Sequence, residues 1–153
     1  MLKVGDEAPR FDVRSSDGRA LRLEDFRGKK NVVLYFYPRD FTSVCTTETC
    51  GFRDMYDELV AGDTEVIGSS FDDDDSHRRF AARYGVRFPL VADPDRRLAT
   101  SYGAVSLLRN LMGRSSRVTF VIDKAGRIRE IVKAELSASA HLDGVKAALA
   151  RLR

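Results

Sequence analysis

Among 153 residues the chain has two cysteines, two histidines, four prolines and no tryptophan. Two cysteines are too few for the disulfide framework of a small secreted domain. A chain this long needs no such staples, because folding buries roughly 68–70% of its unfolded surface. The cysteines therefore point to metal, redox or catalytic use. No apolar run approaches the ~18 residues of a membrane span. The start, Met-Leu-Lys-Val-Gly-Asp-Glu-Ala-Pro, lacks the apolar region of a signal peptide. A cytoplasmic protein without a membrane segment is expected. The 26 basic and 23 acidic residues leave a net charge of only +3, and the arginines are scattered rather than blocked. With no basic stripe or stacking motif, nucleic-acid binding is not expected. Repeats, low-complexity segments and linkers are absent as well, so one domain over 1–153 is expected.

What is present is organised around Tyr35-Phe-Tyr-Pro-Arg-Asp-Phe-Thr-Ser-Val-Cys-Thr-Thr-Glu-Thr-Cys50. The apolar run Val32 to Tyr37 reads as a buried strand that stops at Pro38, which has no N–H to donate. A helical pattern starts near Thr42 or Ser43, with Cys45, Phe52, Met55, Tyr56 and Leu59 at helical spacing. Cys45 thus falls in the first helical turn, where backbone N–H groups are unpaired and the macrodipole is positive. A thiolate is stabilised there, and the thiolate is the nucleophilic form of cysteine. The bland alternative is a buried cysteine acting as a small hydrophobe. Thr42 sits where an N-cap belongs, its hydroxyl near the same N–H groups.

The rest of the chain supplies the frame. Phe11 to Arg14 and Ala20 to Leu23 flank Ser16-Asp17-Gly18, a hairpin signal. Leu23 to Gly28 reads as one helical turn. Strands are expected over 31–37, 64–70 and 89–93, and helices over 43–60, 76–84 and 94–102. Asp72-Asp-Asp-Asp75 reads as a loop whose last members cap the helix at 76, rather than as a cation loop, whose ligands would be interleaved with other residues. Segment 104–116 is irregular, with Leu107, Leu108, Leu111 and Met112 at helical spacing. Arg117 to Asp123 and Arg127 to Lys133 form a hairpin, and Ser139 to Leu152 an amphipathic helix. His77 and His141, far apart in sequence, are expected at the surface. Helices alternating with strands imply a central sheet covered on both faces. With βα units first and an antiparallel hairpin plus helix last, the class is α/β. The order is that of a thioredoxin-like fold: a central mixed β-sheet flanked by helices, here with an N-terminal β-hairpin extension.

Pro38-x-x-x-Thr42-x-x-Cys45 resembles the active-site motif of peroxiredoxins. The Cys45-x-x-x-x-Cys50 spacing is similar to the bacterioferritin-comigratory-protein, or peroxiredoxin Q, branch. The resemblance extends to Gly5-Asp-Glu-Ala-Pro9, Val33 to Pro38, Gly51-Phe-Arg-Asp54, Tyr84-Gly85-Val86 and Arg117 to Asp123. It departs at Ser43-Val44, where the branch commonly has Pro-Gly, and after Tyr102-Gly103, where no Trp follows.

The resemblance implies roles. Cys45 matches the peroxidatic cysteine and Cys50 the resolving one. Thr42 and Arg117 match its activating partners, Pro38 the residue shaping the pocket, and Glu48 a group orienting the arginine. A guanidinium offers a charged fork of donors, suited to favouring a thiolate and gripping peroxide oxygens. Without the motif, Arg117 reads as a surface arginine and Glu48 as favourable charge in a first helical turn. The implied activity is a thioredoxin-dependent thiol peroxidase, an atypical 2-Cys enzyme acting on hydrogen peroxide and organic hydroperoxides. It requires no metal and no organic cofactor. Leu107, Leu108, Leu111 and Met112 read as ordinary core, with the border of an apolar pocket for alkyl hydroperoxides or a dimer contact as alternatives; a monomer is expected, with a weak dimer left open.

Two other classes compete. A thioredoxin-like disulfide oxidoreductase wants Cys-x-x-Cys, whereas four residues intervene here, and no proline occurs in residues 104–117. A non-enzymatic metal-binding module would take Cys45 and Cys50 as half of a zinc site, but the histidines are not clustered with them in sequence.

Overall fold

A computed structural model describes residues 1–106, 111 and 113–152. A two-stranded antiparallel hairpin, β1 (Asp12–Arg14) and β2 (Ala20–Arg22), leads into a single helical turn, α1 (Leu23–Phe26). A five-stranded sheet follows, built from β3 (Asn31–Phe36), β4 (Thr64–Ser70), β5 (Leu90–Ala92), β6 (Val118–Ile122) and β7 (Ile128–Lys133). Its order is β5-β4-β3-β6-β7; β5, β4 and β3 run parallel, and β6 and β7 are antiparallel additions. The helices are α2 (Ser43–Ala61), α3 (Asp74–Tyr84), α4 (Arg97–Ser101) and α5 (Ala138–Arg151). This is the thioredoxin-like arrangement with the hairpin extension.

Every residue of β3 is buried because both sheet faces are covered. Its side chains alternate between two cores. Val32, Leu34 and Phe36 join Ile67, Phe120, Leu98 and Tyr102 on one side. Val33, Tyr35 and Tyr37 join Cys45, Phe52, Phe80, Val121 and Val145 on the other, under α2, α3 and α5. Tyr35 is in register with Thr119, and Phe36 with Val118. Strand periodicity therefore sends Thr119 and Val121 to the α2 side, and Arg117, one step before β6, keeps the same parity.

Two expectations need correction. His77 and His141 are fully buried, not exposed. His77 shares the inward face of α3 with Phe80, and His141 lies in line with Ala138, Val145 and Leu149 on α5. Each imidazole is accommodated because its ring nitrogens find partners, as detailed below. The acidic run also differs in detail. α3 begins at Asp74, capped by Asp73 Oδ1, which accepts from the Ser76 N–H at 2.8 Å. Asp72 turns inward instead and accepts from the Asp40 N–H at 2.8 Å. Leu111, expected in the core, is exposed; Leu107, Leu108 and Met112 lie outside the described residues.

Candidate active site

Pro38, buried, follows β3, and four residues carry the chain into α2. Phe41 takes this corner at φ 65°, a left-handed conformation that a bulky side chain adopts only under constraint. Its ring is held edge-on to Phe80, with centroids 5.0 Å apart. Thr42 occupies the N-cap position, yet its hydroxyl does not cap the helix; Oγ1 donates to the Arg39 carbonyl at 2.9 Å. The first backbone bond of the helix runs from Thr46 N–H to Thr42 O at 2.8 Å. The N–H groups of residues 43–45 thus precede the ladder and are left uncapped by Thr42.

Cys45 is the third residue of α2 and is fully buried. Arg117, 4% exposed, reaches it from the sheet: Nη2 lies 3.1 Å from Sγ. The same guanidinium donates through Nη1 to Glu48 Oε1 at 2.8 Å and through Nε to the Glu135 carbonyl at 2.9 Å. The Arg117 N–H reaches the Glu135 carboxylate, 3.2 Å from Oε2 and 3.3 Å from Oε1. The arginine is thereby held in one orientation, with one arm left for the sulfur.

Glu48 follows Cys45 by three residues, so both face the sheet. Its carboxyl is fully buried, and burial outweighs the pull of Arg117 to push it up to about 7. Oε2 has no hydrogen-bond partner among the described residues. The nearest imidazole is that of His141, whose Nδ1 lies 3.5 Å away. Thr119 Oγ1 lies 2.7 Å from the same Nδ1, and Nε2 donates to the Ala134 carbonyl at 2.8 Å. Burial pushes His141 below the usual histidine range, assisted by Arg117 and opposed by that carbonyl.

Cys50 is half-buried on the same uninterrupted helix, and both cysteines are free thiols. Gly51 follows it and packs closely on the Leu142 side chain of α5; a Cβ there would push the end of that side chain aside.

The structure thus brings Cys45, Arg117 and Glu48 into contact, sets Thr42 at the mouth of the same helix, and leaves Cys50 to one side. Sequence reasoning missed Thr119, Glu135 and His141. Of these, His141 alone left a trace, a histidine on an apolar helical stripe. It also missed the brace under the corner. Tyr37 donates to Asp40 Oδ1 at 2.6 Å, while Ser76 Oγ and His77 Nδ1 lie 2.8 Å and 2.7 Å from Oδ2. Asp40, Asp72 and His77 place three ligand-type atoms within 4.8 Å of one another, a group that includes neither cysteine. The Asp40 and Asp72 oxygens are already engaged by hydroxyl and backbone donors and by the His77 ring, whose Nε2 lies 3.2 Å from the Val91 carbonyl, a hydrogen-bond network rather than an ion cradle.

The sequence profile of the AhpC/TSA family matches residues 4–131. Peroxiredoxin Bcp of Bacillus subtilis (strain 168) is 37% identical over 131 residues, 83% of this chain and 82% of that protein. Chloroplastic peroxiredoxin Q of Populus jackii is 37% identical over 143 residues, 93% of this chain and 65% of that longer protein. Peroxidoxin BcpB from Mycobacterium tuberculosis superposes with a TM-score of 0.89 at 31% identity, covering 100% of this chain and 99% of that one. The chain belongs to the AhpC/TSA family and is a peroxiredoxin, a thiol-dependent peroxidase similar to the Bcp and peroxiredoxin Q proteins.

Proposed function

We propose that Cys45 is the peroxidatic cysteine and that the whole chain, 1–153, works as one domain around it. The contact between Arg117 Nη2 and Cys45 Sγ at 3.1 Å carries this reading. The thiolate attacks the terminal oxygen of a hydroperoxide, the O–O bond breaks, and water or an alcohol leaves. Arg117 and the uncapped N–H groups at the start of α2 stabilise the charge that builds on oxygen. Thr42, whose hydroxyl proton is spent on Arg39 O, offers lone pairs to the peroxide O–H. Buried Pro38 fixes the wall of the pocket, and Glu48 holds the second arm of Arg117.

The sulfenic acid on Cys45 then condenses with the Cys50 thiol, giving a disulfide and water. An intact helix forbids this. Residues five apart are separated by roughly 7.5 Å of rise and about 140° of rotation, on the order of 8.5 Å between Cα atoms. A disulfide needs about 4.4–6.8 Å. The first turns of α2 therefore unwind, up to the point where Gly51 is packed against Leu142. Unwinding carries the disulfide outward to a dithiol protein, for which thioredoxin is the proposed reductant. Sulfur chemistry of this kind requires neither metal nor organic cofactor. The proposed setting is the cytoplasm, where two free thiols persist, and the proposed state is a monomer.

The test is NADPH-coupled peroxide consumption with thioredoxin and thioredoxin reductase, using hydrogen peroxide and an alkyl hydroperoxide. Cys45→Ser should abolish turnover, and Cys50→Ser should allow one turnover and then stop. Multiple turnovers by Cys45→Ser would refute the assignment.

A further inference from the structure

The contacts of His141 fix where its protons lie. The Ala134 carbonyl only accepts, so Nε2, 2.8 Å from it, carries the proton of the neutral ring. Nδ1 is then a lone pair, and it faces Thr119 Oγ1 at 2.7 Å and Glu48 Oε2 at 3.5 Å. Oε2 has no other partner among the described residues, and both side chains are fully buried. The Thr119 hydroxyl donates to that lone pair, so an ionised Glu48 leaves Oε2 without a donor in the protein interior, facing the acceptor side of the ring. One additional proton resolves the conflict. Burial favours that proton on the carboxyl, raised to about 7, over the ring, whose affinity burial lowers.

We propose that Glu48 and His141 hold one exchangeable proton between Oε2 and Nδ1, and that it leaves when Cys45 loses its negative charge. The proposal rests on Cys45 being the reacting sulfur. His141 acts through Glu48 and is a positioning residue. The groups facing the pair are Cys45 on α2, Tyr35 on β3, Arg117 and Thr119 at β6, and Glu135 after β7. Burial keeps the Tyr35 hydroxyl far above its usual range and so neutral. Arg117 is the fixed cation that both Cys45 and Glu48 touch. While Cys45 is a thiolate, a proton on Glu48 leaves the guanidinium to the sulfur. The step then balances. Thiolate, hydroperoxide and the pair's proton give the sulfenic acid and an alcohol. Sulfur loses two electrons, the O–O bond takes them, and the pair's proton compensates the one gained by the departing alkoxide. Glu48, now a carboxylate, retains Arg117 for itself.

The experiment uses the full-length Cys50→Ser protein, which halts at the sulfenic acid, with isotope-labelled histidine. Nuclear magnetic resonance follows His141 Nδ1, and infrared difference spectroscopy follows the carbonyl stretch of a protonated carboxyl. In the reduced protein both signals should titrate together with a midpoint of about 7. One equivalent of peroxide, added about one pH unit below the midpoint, should remove the carboxyl band and shift Nδ1. Glu48→Gln should abolish both responses. Thr119→Val leaves the Nδ1 lone pair entirely to Glu48 and should raise the midpoint by up to about one unit, tenfold in proton affinity; mere loosening of the core would lower it. A band that survives oxidation, or a midpoint that falls in Thr119→Val, overturns the proposal. Should that variant fail to fold, the oxidation response of the parent protein still decides. If Cys45→Ser is inactive but His141 ignores oxidation, only the proton pair is refuted. If Cys45→Ser still turns over peroxide, the reading of Cys45 falls first.

Discussion

Two buried carboxylates lie near the corner between β3 and α2, each next to a buried histidine, and they are treated oppositely. Asp40 accepts from Tyr37 on one oxygen and faces Ser76 Oγ and His77 Nδ1 with the other. Glu48 gives one oxygen to Arg117 and leaves the other without a donor. A satisfied buried network rigidifies, whereas an unsatisfied group costs free energy and persists where chemistry needs it. The Asp40 side is therefore the brace under Phe41 and Thr42, and the Glu48 side is where the proposed proton and electron changes would occur.

The comparison breaks most clearly at Arg117. Arg117→Lys keeps a charge but loses the fork that joins Cys45, Glu48 and Glu135. Peroxide reduction should fall by roughly 10²–10³-fold, the cost of losing an oriented donor to a developing anion. Circular dichroism should remain that of the folded protein. Rates near wild type would remove Arg117 from the site.

On the brace side the effect should appear in stability. Asp40→Ala removes the acceptor of the Tyr37 and Ser76 hydroxyls and the partner of His77 Nδ1 in the core, and each buried donor left unsatisfied costs about 1–3 kcal/mol. Urea unfolding checks this; a loss under 1 kcal/mol would mean the network carries little.

Glu48→Gln should act on the pH dependence. The unfolded carboxyl ionises near 4.5 and the folded one at about 7, so between these values the native state holds more protons. Stability from this group therefore falls as pH rises through that window, by roughly 3 kcal/mol in all, and is constant beyond it. The Gln variant should lack that decline when its unfolding free energy is compared with wild type across pH 4–8. Parallel curves would contradict the assignment. The smallest effect belongs to Ser76→Ala, which removes one of the donors to Asp40. It should cost about 1.5 kcal/mol in the same unfolding assay and leave peroxidase activity unchanged.

Much of this was legible in the sequence, for local reasons. The apolar run ended by Pro38 and the cysteine three residues into a helical pattern place β3, the corner and α2 without distant information. Arg117 lies 72 positions from Cys45, and its meeting with the sulfur depends on β6 pairing with β3. No spacing rule encodes that; only the family motif pointed to it. Thr119 and Glu135 were illegible for the same reason. His77 and His141 misled because each stands alone in the sequence, far from any partner residue, although both occupy apolar stripes of their helices. Thr42 was placed correctly, but its hydroxyl turns to Arg39 rather than to the helix, beside the left-handed corner at Phe41.

The most direct test of the central claim, that α2 opens from the Cys45 end while the Asp40 brace stays closed, is amide hydrogen exchange before and after one equivalent of peroxide. Exchange over residues 43–50 should accelerate in wild type as the Cys45–Cys50 disulfide forms and remain slow in Cys50→Ser, with α3 protected in both. A disulfide confirmed by mass spectrometry with unchanged exchange over residues 43–50 would contradict the account.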